Sequence, residues 1–147
     1  MTRRVGEILD SKGSDVVTIR PDADLHEALA TLAEHSIGAV VVSPDGNHVD
    51  GMLSERDIVR ALARTGSEVL DESVSSVMSS PVSTCGREHS ADEIMATMTS
   101  SRFRHMPVVD NDVLVGIVSI GDVVKSRIDE LEVKATNLEE YVTGSSY

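Results

Sequence analysis

Two short motifs pair a serine with an aspartate three residues further along the chain. Ser54 and Asp57 form one pair, and Ser119 and Asp122 form the other. A serine at the start of a helix accepts a hydrogen bond from a free backbone N–H, and an acid three residues later favours the positive end of the helix. The same geometry aims backbone N–H groups at whatever lies in front of the helix, which is how proteins hold phosphate. Each motif is therefore either a helix start and nothing more, or half of a nucleotide site.

A strand before each motif and a helix after it must position these side chains. Each serine ends a short strand-type run that begins at a glycine, Gly51 or Gly116. Apolar residues at helical spacing follow each aspartate. They are Ile58, Val59, Ala61 and Leu62 after the first, and Val123, Val124 and Ile128 after the second.

The same order of elements leads to both motifs. In the first half we predict strands at 16–19, 39–42 and 49–53, a helix that opens at Asp24 and a helix over 54–64. In the second half we predict strands at 82–84, 106–109 and 113–118, a helix that opens at Ser90 and a helix from Ser119 to about Ile128. Equivalent residues keep a constant spacing except for one residue lost in a turn, where deletions are tolerated. The chain is therefore predicted to be a duplicated βαββα unit.

This duplication divides the chain. We predict a first repeat with its lead-in at 1–64, a polar linker at 65–76, a second repeat at 77–130 and a helical tail at 131–147. Apolar residues of the tail and of the helix before it could line one side, namely Ile128, Leu131, Leu138 and Tyr141. The tail is either a solvated helix or a helix that contacts a second copy of the chain.

Composition narrows the function classes. The chain has 147 residues and a net charge of −12, which argues against a nucleic-acid backbone or an anionic membrane as the main partner. Aromatic residues are 2%, so the core must be aliphatic. No apolar run approaches the roughly 20 residues that span a bilayer, and the single cysteine, Cys85, fits a reducing compartment. We expect a soluble cytoplasmic protein.

The repeat, an apolar strand that runs into Gly-x-x-Ser-x-x-Asp, resembles the CBS domain (cystathionine-β-synthase-type domain), whose tandem pairs are called Bateman modules. The second repeat carries the signature more fully, in Phe103–Asp110 and then Gly116–Asp122. The resemblance extends from about Val5 to Ile128. It implies an α+β protein with an α/β-type CBS fold, in which two βαββα repeats pack in pseudo-two-fold symmetry through their sheets.

The resemblance also implies regulatory binding of AMP, ADP, ATP or NAD, with S-adenosylmethionine possible, in clefts between the repeats. Carried over by position, Asp57 and Asp122 would take ribose hydroxyls, since a carboxylate accepts two hydrogen bonds at once. Ser54 and Ser119 would contact phosphate. The strands that border adenine would supply Thr18, Ile19, Ser83 and Thr84, and the apolar contacts to the ring would be Val41, Val42, Met52, Met106, Pro107 and Ile117.

The two clefts are expected to differ in charge. Arg102, Arg104 and His105 precede the central strand of the second repeat, and by resemblance this segment faces the cleft of the other repeat. We therefore predict a stronger phosphate grip at Asp57, with Arg104 and His105 as ligand residues. The cleft at Asp122 is expected to have only the cations Lys125 and Arg56 nearby. The alternative is that Arg104 and His105 lie on an exposed strand edge.

Three function classes follow. The first is a ligand sensor that relays occupancy to an unknown effector protein through a conformational change, and by resemblance it is a homodimer. The second is an interaction scaffold with empty clefts. The third, an enzyme, ranks last because the sequence offers no acid–base pair, nucleophile with its base, or metal-ligand spacing.

Overall fold

The structure, a computed structural model, describes residues 3–145 and, in the last helix, side chains up to residue 140. The helices are α1 Val5–Lys12, α2 Leu25–His35, α3 Glu55–Thr65, α4 Val74–Val77, α5 Ala91–Ser101 and α6 Ile120–Ser145, with a 3₁₀ turn at Ser67–Asp71. The strands are β1 Thr18–Ile19, β2 Ala39–Val42, β3 Gly51–Ser54, β4 His105–Asp110 and β5 Val113–Ser119.

The strands form two small sheets, one in each half of the chain. In the first sheet β1 runs parallel to β2, and β2 runs antiparallel to β3. In the second sheet β4 and β5 are antiparallel, with a register shift between Val108 and Val109. The combination of helices with these two sheets confirms the predicted α+β class.

One predicted strand is wrong. Residues 82–84 form no strand, and this part of the chain meets the second sheet only at Cys85, which bridges Val108 in parallel. Two backbone hydrogen bonds hold the bridge, from the Cys85 N–H to the Pro107 carbonyl at 3.0 Å and from the Val109 N–H to the Cys85 carbonyl at 2.8 Å. Ser83 and Thr84 are partly or fully exposed, so they bury too little surface to extend the pairing.

Side-chain caps begin the longer helices where the sequence predicts. Asp24, Ser54 and Ser90 each accept a hydrogen bond from the backbone N–H three residues later. Each cap satisfies one of the donors that a helix start leaves without a partner.

Each repeat has its own core, and a third cluster joins them. Leu25, Leu53 and Ile58 are among the residues of the first core, and Met98 and Met106 are among those of the second. The third cluster draws on both sheets. It contains Ala39, Val41 and Met52 with Val16 and Val49 from the first half, and Val82, Leu114 and Ile117 from the second. The repeats therefore pack through their sheets, as the fold class predicts.

The first helix crosses over to the other repeat. Although α1 precedes the first repeat in sequence, its residues Val5, Ile8 and Leu9 lie in the second core. A Cβ added to Gly116 of β5 would lie 2.7 Å from a methyl group of Leu9, so only glycine gives Leu9 this close approach to the strand.

The segment at 65–76, predicted as a linker, is packed against the first repeat. Val69 and Val74 are buried in the first core. The 3₁₀ turn and α4 also bond to the loop before α2, through the Leu25 N–H to the Glu72 carbonyl and the Val74 N–H to the Ala23 carbonyl. Two valines among polar residues are enough to bury one face of this segment.

The last helix has two environments. Val123 and Ser126 are buried against the second repeat, whereas residues 131–140 are all exposed. Tyr141, which the sequence places on the same side as Leu138, has its side chain outside the described part. Within residues 3–145, no helix is both long enough and apolar enough to cross a membrane.

Candidate functional site

Both Ser-x-x-Asp motifs form reciprocal helix caps. The Ser54 Oγ accepts from the Asp57 N–H at 3.2 Å, and the Asp57 Oδ2 accepts from the Ser54 N–H at 3.0 Å. The corresponding distances at Ser119 and Asp122 are 3.1 and 2.8 Å. The helix-start interpretation is therefore correct for both motifs. A carboxylate has about four lone-pair sites, so each aspartate keeps capacity to accept further hydrogen bonds.

A cavity of about 400 Å³ opens beside the second motif, at the junction of the two repeats. This volume lies within the roughly 300–1,000 Å³ typical of small-molecule sites. Its lining comes from three parts of the chain. These are Lys12 of α1, Asp15–Val17 and Ser36–Ala39 of the first repeat, and His105, Ile117 and Ser119 of the second.

Lys12 dominates the polar side of this cavity. Its Nζ donates to the Asp122 Oδ2 at 2.6 Å and to the Ile117 carbonyl at 3.0 Å. Lys12 lines the cavity, and Asp122 does not. The ammonium group therefore lies over the carboxylate, and a ligand reaches Asp122 only beside Lys12 or after displacing it.

The charges around the cavity shift two pKa values. Burial opposes ionisation of Asp122, but hydrogen bonds from Lys12 and from the Ser119 N–H hold the pKa of its carboxyl below the usual value. Burial lowers the pKa of His105, helped by Lys12 and Arg104 and opposed by Asp122. His105 is therefore a neutral imidazole at pH 7, and Lys12 is the cation that faces the cavity.

Acidic groups also border the cavity. Asp15 lines the cavity. The Glu55 carboxylate lies near Gly38, because a Cβ on that glycine would be 3.8 Å from the Glu55 carboxyl carbon. The cavity thus combines one paired ammonium group with two carboxylates nearby, which disfavours a ligand that carries many negative charges.

The first motif has different surroundings. Asp57 borders a depression of about 260 Å³ between α3, the 3₁₀ turn and α4. The lining includes Arg60 and Arg64 but no residue of α5, α6 or the second sheet. The Ser79 Oγ donates to the Asp57 Oδ1 at 3.4 Å. Asp57 and Asp122 are therefore equivalent as helix caps but not in the space beside them.

The structure brings together three of the residues predicted for ligand contact, which are His105, Ile117 and Ser119, with Asp122 behind Lys12. Val41 and Met52 lie at the contact between the sheets. Ile19, Val42 and Met106 are buried in the cores of single repeats. Pro107 is buried in β4, Thr18 is half-buried in β1, and Arg104 is exposed.

Two expectations about charge need correction. The cation held against Asp122 is Lys12, not Lys125 or Arg56. His105 was expected to face the Asp57 cleft, but it lines the cavity beside Asp122 because β4 pairs it with Ser119. The basis for a stronger phosphate grip at Asp57 is thereby weakened.

Sequence reasoning missed most of the first-repeat lining, Asp15–Val17 and Ile37, as well as Lys12. One signal was present in the sequence. The lead-in Val5–Leu9 has a counterpart in Val74–Met78 before the second repeat, with apolar residues at the same positions. In the structure Met78 packs on Gly51 as Leu9 packs on Gly116. The lead-in segment is thus duplicated along with the rest of the repeat. Because each lead-in packs on the glycine of a Ser-x-x-Asp motif, the residues just after each lead-in are expected to lie near that motif.

Neither metal binding nor thiol chemistry finds a basis in the described residues. Within residues 3–145 no group of three or more His, Cys, Asp or Glu side chains could hold a metal ion. Burial raises the pKa of the Cys85 thiol to about 12, with a smaller contribution from Glu88. Cys85 is therefore an unreactive core residue at neutral pH.

The fold and the site define two related repeats, βαββα in the first and αββα in the second, with a cavity at their junction to which the lead-in helix contributes Lys12. The model of the CBS domain family matches residues 5–64 and 74–129. The chain belongs to the CBS domain family.

Individual relatives agree with this assignment. A crystal structure of a CBS-domain containing protein from Agrobacterium tumefaciens has a TM-score of 0.81 and 48% identity, over 84% of this chain and 98% of that one. The mitochondrial CBS domain-containing protein CBSX3 of Arabidopsis thaliana is 28% identical over 95% of this chain and 72% of its own length. The CBS domain pair of protein MJ0100, in complex with 5′-methylthioadenosine and S-adenosylmethionine, shares the fold with a TM-score of 0.77 at 22% identity, over 88% and 99% of the two chains.

Proposed function

We propose that this chain is a regulatory module that binds an adenosine-containing ligand in the cavity between its repeats and relays occupancy through Lys12 and α1. The observation that carries the proposal is a cavity of suitable volume beside a capped carboxylate, lined by both repeats and by the lead-in helix. A ligand there contacts all three, so it changes the relative stability of their arrangements.

Each part of the ligand has a complementary surface. Val16, Val17, Ile37 and Ile117 offer aliphatic contacts to adenine. The ribose hydroxyls would donate hydrogen bonds to the Asp122 carboxylate, and a phosphate would lie near Lys12 and the first N–H groups of α6. Among the adenylates we favour AMP, because the cavity offers one lysine against two carboxylates, Asp15 and Glu55, and a triphosphate would bring excess negative charge.

Relay follows from the position of Lys12. We expect a ribose that bonds to Asp122 to displace the lysine from the carboxylate, and the freed ammonium then pairs with the phosphate. Lys12 is the last residue of α1, and α1 is packed in the second core through Leu9. Ligand binding would therefore shift this helix, which is a change that an effector protein can read.

The two aspartates give the sharpest test. We expect Asp122→Asn to weaken AMP binding by about tenfold or more, the equivalent of roughly 1.5 kcal/mol for a hydrogen bond to a charged group. Asp57→Asn removes the same negative charge from the cap of a different helix and should leave the affinity near that of the unmodified protein. Isothermal titration calorimetry measures both, and thermal melting should show about 2.7 kcal/mol of stabilisation at 100 times the Kd. Loss of binding in Asp57→Asn alone would move the site to the other repeat.

S-adenosylmethionine is the second candidate ligand. The carboxylates of Asp15 and Glu55 suit its positive charge, and the MJ0100 domain pair supports the adenosyl class of ligand. Lys12→Ala separates the two ligands. It should weaken AMP binding several-fold by removing the phosphate partner, and it should strengthen S-adenosylmethionine binding by removing a like charge. Lys125→Ala, which removes an exposed lysine of α6, is the matched control in the same calorimetric titrations.

The remaining parts of the proposal come from the family. We propose a homodimer that acts on an effector protein in the cytoplasm, with no catalytic step of its own. An interaction scaffold with an empty cavity is the competing function, and it predicts flat titrations with AMP, ATP, NAD and S-adenosylmethionine alike.

A further inference from the structure

The exposed half of α6 carries a heptad pattern. Apolar side chains recur at alternating spacings of four and three residues, and they are Val124, Ile128, Leu131, Ala135 and Leu138. This is the spacing of the a and d positions of a coiled coil, which keeps one seam on one side of the helix. We call these five residues the α6 seam. At about 1.5 Å of rise per residue, the α6 seam is roughly 22 Å long.

The seam is exposed and lies on a different face from the one that packs on the second repeat. Ile128, Leu131 and Leu138 are 49%, 53% and 58% exposed. The buried positions of α6, Val123 and Ser126, lie about 100° and about 160° around the helix from the centre of the seam. The family match ends at residue 129, so most of the seam lies on an extension beyond the second CBS domain.

We propose that the α6 seam joins two copies of this chain in a parallel two-stranded coiled coil. The charges beside the seam favour a second copy of the chain as the partner and a parallel orientation of the two helices. In a parallel pair, a g residue faces the e residue of the next heptad on the partner helix. Here Arg127 would face Glu132 of the second copy, and Lys134 would face Glu139 of the second copy. Two-fold symmetry repeats both attractive pairs.

The opposite orientation is disfavoured by the same charges. An antiparallel pair centred on the seam would bring Glu132 against Glu132 of the second copy and Lys134 against Lys134 of the second copy. The residues of the seam also favour two strands over three, because Ile128 is β-branched at an a position and leucine occupies the d positions at Leu131 and Leu138.

The folded repeat prepares this helix for pairing. The exposed part of α6, residues 131–140, is short enough to be marginal as an isolated helix in water. However, α6 begins at the Ser119 cap and its first turns pack against α5 and β5. The association therefore orders little additional backbone. Arg127 also contacts Glu130 of its own helix at 3.2 Å, and its half-exposed guanidinium remains at the border of the seam.

Sedimentation equilibrium of the full chain over a range of concentrations tests the association. We expect the unmodified protein to reach twice the 15.8 kDa of one chain. Leu131→Glu combined with Leu138→Glu should return it to a single chain. Val133→Glu is the matched control, because Val133 is equally exposed at 56% but lies on the far side of the helix. Circular dichroism melts verify that all variants fold, which is expected for exposed positions.

Cysteine cross-linking tests the orientation. Leu131→Cys and Leu138→Cys, each made separately, should both form a disulfide between copies in a parallel pair, since identical d residues face each other. In an antiparallel pair at most one of them can do so. The native Cys85 is buried and does not compete.

Charge-reversal variants test the proposed ion pairs between the two copies. Glu132→Lys with Glu139→Lys should weaken the dimer, and adding Arg127→Glu with Lys134→Glu should restore it. A protein that stays a single chain at every concentration, a dimer that survives the two leucine substitutions, or a cross-link at one position only would each overturn the inference. None of these results depends on ligand binding, so this inference and the proposed ligand binding fail separately. A single chain at every concentration would overturn the proposed homodimer as well.

Discussion

At the scale of residues, the chemistry centres on the contact between Lys12 and Asp122. The two groups lie 110 positions apart in sequence and 2.6 Å apart in the fold. The contact keeps the pKa of Asp122 low despite burial. In the proposed binding step a ribose opens the same pair, so one ion pair both stabilises the site before binding and affects which ligand charge is favoured.

His105 should make stability depend on pH. Burial lowers its pKa in the folded protein, so between the folded and unfolded pKa values the unfolded chain binds more protons. Its contribution to stability is therefore present above about pH 6.5 and decreases as the pH falls below that value. We expect the unmodified protein to lose melting temperature between pH 7 and 5 more steeply than His105→Gln.

Comparing the unmodified protein with His105→Gln separates the effect of His105 on stability from the effects of other titrating groups. The Asp45 contact raises the pKa of His48, so His48 stabilises the fold most at low pH and acts in the opposite direction in both proteins. Asp122 changes protonation only below about pH 4. Parallel pH profiles for the two proteins would show that His105 is solvated and not buried beside the cavity.

At the scale of elements, the two lead-in helices are equivalent parts that serve different repeats. Leu9 of α1 packs on Gly116, and Met78 after α4 packs on Gly51. Each glycine lies at a strand position where a Cβ would collide with the lead-in. The glycines of the two motifs are therefore required by packing, in addition to any role of the motifs in binding.

A double-mutant cycle tests this packing. Leu9→Ala should destabilise the protein by about 2–5 kcal/mol because it empties a fully buried site. Gly116→Ala should cost about 1–3 kcal/mol through overpacking, and the cost should shrink when Leu9 is already alanine. Urea denaturation gives all four free energies. Gly121→Ala is the control, since its Cβ would meet only the Ser119 Oγ at an ordinary 3.6 Å.

At the scale of the whole molecule, the two repeats are joined by aliphatic contacts between their sheets and by a backbone bond from the Leu114 N–H to the Asn47 carbonyl at 2.7 Å. The cavity opens beside this contact, so its walls belong to both halves. A net charge of −12 opposes the approach of anions, which makes the local charge of Lys12 more important for any phosphate-bearing ligand.

Much of the fold was predictable from the sequence because its signals are local. Capping residues such as Ser54 and Ser90 act on N–H groups a few positions away, and the buried strand Ala39–Val42 is continuous in sequence. The duplicated motif then identified the family. The predicted strand at 82–84 failed because its pairing depends on distant partners, and a short polar segment buries too little surface to signal its own structure.

The sequence by itself determined the two repeats, their helix starts and the aliphatic contact between them. Only the tertiary structure decided that α1 joins the second repeat, that Lys12 lies on Asp122 and that the cavity opens beside one motif and not the other. The physical reason is the separation in sequence between the interacting residues. Caps and periodicities are interactions within a few residues, whereas the cavity is formed where three segments distant in sequence fail to fill the space between them.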